Sequence, residues 1–144
     1  MKFKFLRLLL FFIILVNLGL AFLTFFYRPE FIKIINSLYG TNLGILEAHT
    51  IYIIKMMGCF LFAVSFMSFF ALKNPVKYYP IVYANGLWLL LRGIQRINYI
   101  EAFHNDWGLS YTRLWFSAVF VIVYAILLFF LANSVRKYNE KTAE

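Results

Sequence analysis

The stretch from Tyr78 to Tyr99 limits what this chain can fold into more than any other. It is long enough to cross a bilayer, yet it carries two arginines, Arg92 and Arg96. A helix needs roughly 20 residues to traverse about 30 Å of hydrocarbon, at about 1.5 Å per residue. An unpaired arginine at that depth costs at least about 2.5 kcal/mol, so it turns toward a bundle interior or toward water. Asn85, Trp88, Arg92, Arg96 and Tyr99 recur at helical spacing and fall on one side of the helix. That side has to meet polar groups, and other helices have to shield it from lipid.

Three further apolar runs supply such helices. The first, Leu8 to Phe26, follows Lys2, Lys4 and Arg7. A basic start and an apolar middle also describe a secretory signal. This run, however, is too long for a typical signal core and no small-x-small cleavage site follows it, so it is expected to stay as a membrane helix. Asn17 is its only strongly polar interior residue and is expected to hydrogen-bond to a neighbouring helix. The second run, Ile51 to Leu72, carries Lys55 near its start, within snorkelling reach of the interface. Its Gly58, Cys59, Ser65 and Ser68 offer small surfaces for close helix contact. A basic turn, Lys73-Asn74-Pro75-Val76-Lys77, folds it back on the third run as an antiparallel hairpin. The fourth run starts at Arg113 or Leu114 and ends near Leu131, before a polar tail with Arg136, Lys137 and Lys141.

Between the first two runs, Phe31, Ile34, Ile35, Leu38 and Tyr39 follow the pattern of an amphipathic helix. Pro29 suits its first turn and Gly40 its end. The expected architecture is therefore all-α: one membrane domain, 1–144, forming an integral membrane four-helix bundle. Its spans lie at about residues 6–27, 51–72, 78–100 and 113–133, with a short interfacial helix between the first two. Residues after the third span, including Glu101, His104, Asn105, Asp106 and Gly108, read as a short polar connection.

Composition agrees with lipid as the solvent. Hydrophobic residues make up 63% of the chain and charged ones 14%, against about 45–50% and about 25% in soluble domains. The net charge of +8 comes from basic residues at the ends of apolar runs, a topology signal rather than a nucleic-acid face. Lys2, Lys4, Arg7, Lys73, Lys77, Arg136, Lys137 and Lys141 fall on one side of the membrane, against Arg28, Lys33 and Arg113 on the other. Both termini are thus expected in the cytoplasm, in a plasma or inner membrane. The lone Cys59 permits no internal disulfide, and phosphate loops, nucleophile elbows and CxxC pairs are missing from the sequence.

Topology would gather the polar groups at the outer half of the membrane. Lys55, Asn85, Trp88, Arg92, Arg96 and Tyr99 form one candidate set, with Glu47, Glu101 and Asp106 just beyond. These groups suit either an internal ion-pair network or a basic pocket for an anionic headgroup, a carboxylate or a quinone carbonyl. A second candidate set is Glu47, His49, Glu101 and His104. Glu101 and His104 have the Glu-x-x-His spacing used by metal sites in helical bundles.

Three functions follow. The leading expectation is a non-enzymatic accessory or structural subunit of a membrane complex, in contact with lipids and other membrane subunits, without a cofactor and without nucleic acid. The second is a binder or carrier of an amphiphilic anion, lipid or quinone at the arginines. The third is a haem- or metal-dependent redox protein built on the histidines. The layout of four short spans, an amphipathic connection after the first, and Arg-x-x-x-Arg near the end of the third resembles DoxX-like small four-helix membrane proteins. That resemblance implies the four-span fold and no particular activity.

Overall fold

In the computed structural model of the chain, residues 3–26, 28–39 and 48–143 are described. They form six helices: α1 (Lys4–Phe26), α2 (Arg28–Tyr39), α3 (Ala48–Lys73), α4 (Tyr79–Asn98), α5 (Ile100–Trp107) and α6 (Tyr111–Ala143). Three of them, α1, α3 and α6, are long and apolar enough to cross a membrane. The 20-residue α4 has a more polar sequence because Asn85, Arg92, Gln95 and Arg96 interrupt its apolar positions.

The helices associate as two antiparallel pairs, α1 with α3 and α4 with α6. Small residues set how closely each pair approaches. Along α6, Ala118, Ala125 and Ala132 recur every seventh residue and are fully buried. Gly86 and Gly93, also seven apart, face them from α4: a Cβ at either glycine would lie 3.5 Å from the carbonyl oxygen of Ala125 or Ala118. Without a hydrophobic drive between helices in lipid, such close backbone contact supplies the van der Waals attraction that holds a pair together. In the other pair, Gly58 leaves room for the Thr24 hydroxyl, which a Cβ there would strike. Thr24 returns its proton to the Ala21 carbonyl at 2.7 Å.

The pairs are joined through the turn after Lys73. The Asn74 side-chain oxygen accepts from the Lys77 amide at 3.1 Å, and Pro75 is fully buried. At this end the two pairs share one core, made by Leu6, Leu10 and Ile13 of α1, Ala71 of α3, Val82 of α4, and Leu128, Ala132 and Val135 of α6. The Phe3 and Tyr138 rings meet at 5.7 Å, and Arg7 donates to the Lys73 carbonyl at 3.4 Å. The start of α1 and the late part of α6 therefore lie at the same end as the basic turn. At the opposite end, Arg113 donates to the Ser37 carbonyl of α2 at 2.6 Å.

Two expected boundaries shift. The segment read as a polar connection contains α5, closed by Gly108 in the left-handed conformation at φ 65°. The segment read as a polar tail continues α6, since no glycine or proline interrupts it and Arg136 pairs with Glu140 one turn on, at 3.3 Å. The amphipathic helix before the second span is present as α2, ending at Tyr39; Gly40 and Glu47 lie outside the described residues.

Candidate functional site

Above the shared core, α1 stands away from α4, and a partly open cleft of about 260 Å³ lies between α1, α4 and α6. From α1 it is lined by Phe12, Val16 and Asn17, and from α4 by Trp88, Arg92 and Arg96. Phe120 and Tyr124 of α6 form the remaining wall. No carboxylate is among the described lining residues.

Each polar group owes its place to its helix. Tyr124 donates its hydroxyl to the Leu9 carbonyl at 2.7 Å, and its ring meets those of Phe12 and Phe120 at 6.2 and 6.0 Å. These contacts fix α1 against α6 and close the cleft toward the shared core. Trp88 sits between two helices, with Phe60 of α3 at 5.7 Å between ring centroids and the Arg92 guanidinium 5.4 Å from its own ring. A cation over an indole face is attracted by the ring quadrupole, so Trp88 helps to hold Arg92 at the cleft. Arg96, one turn further on, lines the same wall.

The sequence marks Asn17 as the one polar interruption of α1 and leads one to expect a hydrogen bond from it to a neighbouring helix, which the structure does not show for its amide nitrogen. It is 5% exposed, and its side-chain nitrogen is sealed from solvent with no hydrogen-bond partner among the described residues. In an apolar surrounding an unsatisfied amide costs about 1–3 kcal/mol.

The structure separates the first candidate set. Trp88, Arg92 and Arg96 come together at the cleft. Asn85 is buried but turns to α3, where its Nδ2 donates to Ser68 Oγ at 2.8 Å, and Ser68 in turn donates to the Val64 carbonyl at 2.7 Å. Lys55 is exposed on α3, away from the cleft lining. Tyr99 ends α4 at a break in the helix and is 56% exposed, with its ring against Phe103.

The second set is not gathered by what the structure describes. Glu47 and the His49 side chain lie outside the described residues, although the His49 backbone belongs to α3. Glu101 is exposed in the first turn of α5. His104 donates from Nδ1 to the Leu109 carbonyl at 2.7 Å and stacks on Tyr111 at 3.9 Å between ring centroids, which ties the end of α5 to the start of α6. Among the described residues no three His, Cys, Asp or Glu side chains group as metal ligands.

The outer surface differs from that of a soluble protein. Phe116, Phe130 and Tyr52 are 74%, 70% and 65% exposed, while Ser65, Ser68, Asn85 and the α6 alanines are buried. So extensive an exposed apolar surface is what lipid permits and water does not. With three helices fit to cross a bilayer, the fold is that of a multi-pass membrane protein. No family model, curated protein or solved structure matches the chain.

Proposed function

We propose that the chain spans the membrane four times, with both termini cytoplasmic, and binds an amphiphile whose oxygen-bearing headgroup enters the cleft between α1, α4 and α6. The observation that carries this reading is the clustering of Asn17, Trp88, Arg92 and Arg96 on one cleft within the helical part of the molecule. Arginines directed to a cleft rather than to lipid also allow α4 to cross as the fourth span, despite its lower hydropathy. Ligand pockets usually start near about 300 Å³, so about 260 Å³ suits a headgroup and the first part of a chain. The rest of the chain would pass through the open side into the bilayer.

The accessory-subunit reading draws on the exposed aromatic faces of α1, α3 and α6. Surrounding lipid covers such faces as well as a partner would, so the cleft favours the binding reading. The test is extraction of the wild type and an Arg92→Met variant in mild detergent, followed by mass spectrometry of the retained amphiphiles. One amphiphile enriched over bulk lipid in the wild type and lost in the variant, with similar melting curves, supports the proposal. Identical retained lipid in both overturns it.

A further inference from the structure

We infer that the outward face of α6 binds an anionic phospholipid, with the phosphate between Lys137 and Lys141 and an acyl chain along the apolar residues that precede them. This site is separate from the cleft and does not rest on it.

The sequence of α6 puts both parts on one stripe. Phe116, Val119, Val123, Ile126 and Phe130 follow each other at steps of three and four, which keeps them on one side of a helix. They are 50–74% exposed, against 0% for Leu128, Ala132 and Val135 on the side facing the shared core. Ser134, Lys137 and Lys141 continue the same steps, so within two turns of Phe130 the stripe changes from apolar to basic.

That change falls where the apolar parts of the neighbouring helices end. Leu6 of α1 and Ala71 of α3 share one core with Ala132 and Val135, and Lys4 and Lys73 close the apolar runs of α1 and α3 at the same end. Lys137 therefore stands at headgroup depth. Half of a hydrocarbon layer about 30 Å thick corresponds to about ten residues of helix. A chain anchored at Lys137 thus passes Phe130, Ile126 and Val123 before the midplane.

Ser134, Lys137, Tyr138, Glu140 and Lys141 line an open recess on this face. Tyr138 borders it on the side of α1, where the Phe3 ring meets it edge-on at 5.7 Å. The Glu140 carboxylate is engaged by Arg136 at 3.3 Å, and the Ser134 hydroxyl donates to the Phe130 carbonyl at 3.0 Å. Among the described residues Lys137 and Lys141 have no partner. Lysines four apart on a helix repel each other, and a phosphate between them turns that repulsion into attraction. Other lysines of this end are placed differently: Lys73 lies 4.6 Å from the Phe69 ring and Lys77 5.4 Å from the Tyr78 ring. A lipid suits the recess better than a free anion, because the apolar stripe leads directly into it. It also suits the recess better than an acidic protein, because headgroups already occupy that depth.

The full chain is purified in neutral detergent and mixed with equal amounts of dioleoyl phosphatidylglycerol and dioleoyl phosphatidylcholine. Native mass spectrometry then measures the lipid retained. Phosphatidylglycerol should be retained over phosphatidylcholine. Lys137→Gln with Lys141→Gln should weaken it by about 25-fold, about fivefold for each lysine. Lys137→Arg with Lys141→Arg should keep it, and Lys73→Gln with Lys77→Gln should cost far less than the first pair. Equal retention of the two lipids, or no loss in Lys137→Gln with Lys141→Gln, overturns the inference. So does an equal loss in Lys73→Gln with Lys77→Gln, which would assign the effect to the field of the whole basic end. Competition by glycerol phosphate as strong as by the lipid would make the recess a site for free phosphate. Tighter binding of a polyglutamate peptide would give it to an acidic protein, and either result also overturns the inference.

Discussion

Asn85 of α4 donates to Ser68 of α3 over 2.8 Å, at a buried point where the two helix pairs meet. The bond links one pair to the other above their shared core, and Ser68 is itself anchored by donating to Val64. Interhelical hydrogen bonds in membrane proteins average about 0.6 kcal/mol and reach about 1.7 kcal/mol. A double-mutant cycle with Asn85→Leu and Ser68→Ala, read by unfolding in detergent, should return a coupling within that range. A coupling indistinguishable from zero would mean that the pairs are held by apolar packing alone.

The two glycines of α4 should respond differently to the same change. A Cβ at Gly86 would lie 3.4 Å from the Phe129 ring, an ordinary contact, whereas one at Gly93 would lie 2.5 Å from Ile122 Cγ1. Gly86→Ala should be neutral or slightly stabilising. Gly93→Ala should destabilise by about 1–3 kcal/mol, the usual penalty for overpacking. Ile122→Ala in the Gly93→Ala background should recover part of the loss. Equal effects at the two glycines, or no recovery, would count against the tight α4–α6 seam.

How much of this was legible in the sequence depends on what spacing can report. The apolar runs, the basic turn and the helix at Arg28–Tyr39 follow from periodicity and turn chemistry, and the structure has them. Helix α5 carried signals of its own, Glu101 in the first turn and Gly108 just past the end, but its eight residues are too few for periodicity to stand out. The stripe Asn85, Trp88, Arg92, Arg96 and Tyr99 is a correct statement about one helix, but it leaves open what each residue meets. Helix α4 leans on α3 at Asn85 and faces the cleft at Arg92 and Arg96, and it breaks before Tyr99 can continue the stripe. At Asn17 a lone polar residue in an apolar run looks the same whether it meets a helix or a cavity. Only the packing of α1 against α6 decides that.

The arrangement of the ends leads to a topology test. The Phe3–Tyr138 and Arg7–Lys73 contacts put the start of α1, the late part of α6 and the basic turn together. With eight basic residues at that end against three at the other, it should be cytoplasmic. Reporter fusions after Glu144 should read as cytoplasmic, and those within Thr41 to Leu46 as external. An external reading at Glu144 would mean that α4 does not cross.

Arg92 is the residue on which binding should depend most. Counted from Tyr78, it lies about 21 Å along the helix at about 1.5 Å per residue, too deep to reach the near surface. Its guanidinium rests 5.4 Å from the Trp88 ring, at a cleft whose other polar groups also donate. Arg92→Met keeps much of the volume and removes the charge, whereas Arg92→Lys keeps the charge and removes the fork. If the fork matters, both variants should lose retained amphiphile. Methionine should lose about 10- to 100-fold in affinity, and lysine less, because a charged hydrogen bond contributes about 1.5–3 kcal/mol. If the charge alone matters, lysine should bind like the wild type. Stability separates either case from a purely structural arginine. Removing one member of a buried ion pair costs about 3–5 kcal/mol, and that loss would appear in the melting curve even with the cleft stripped of ligand. Removing an arginine that serves a ligand should leave the stripped protein nearly as stable as before, with the difference appearing only when amphiphile is added back.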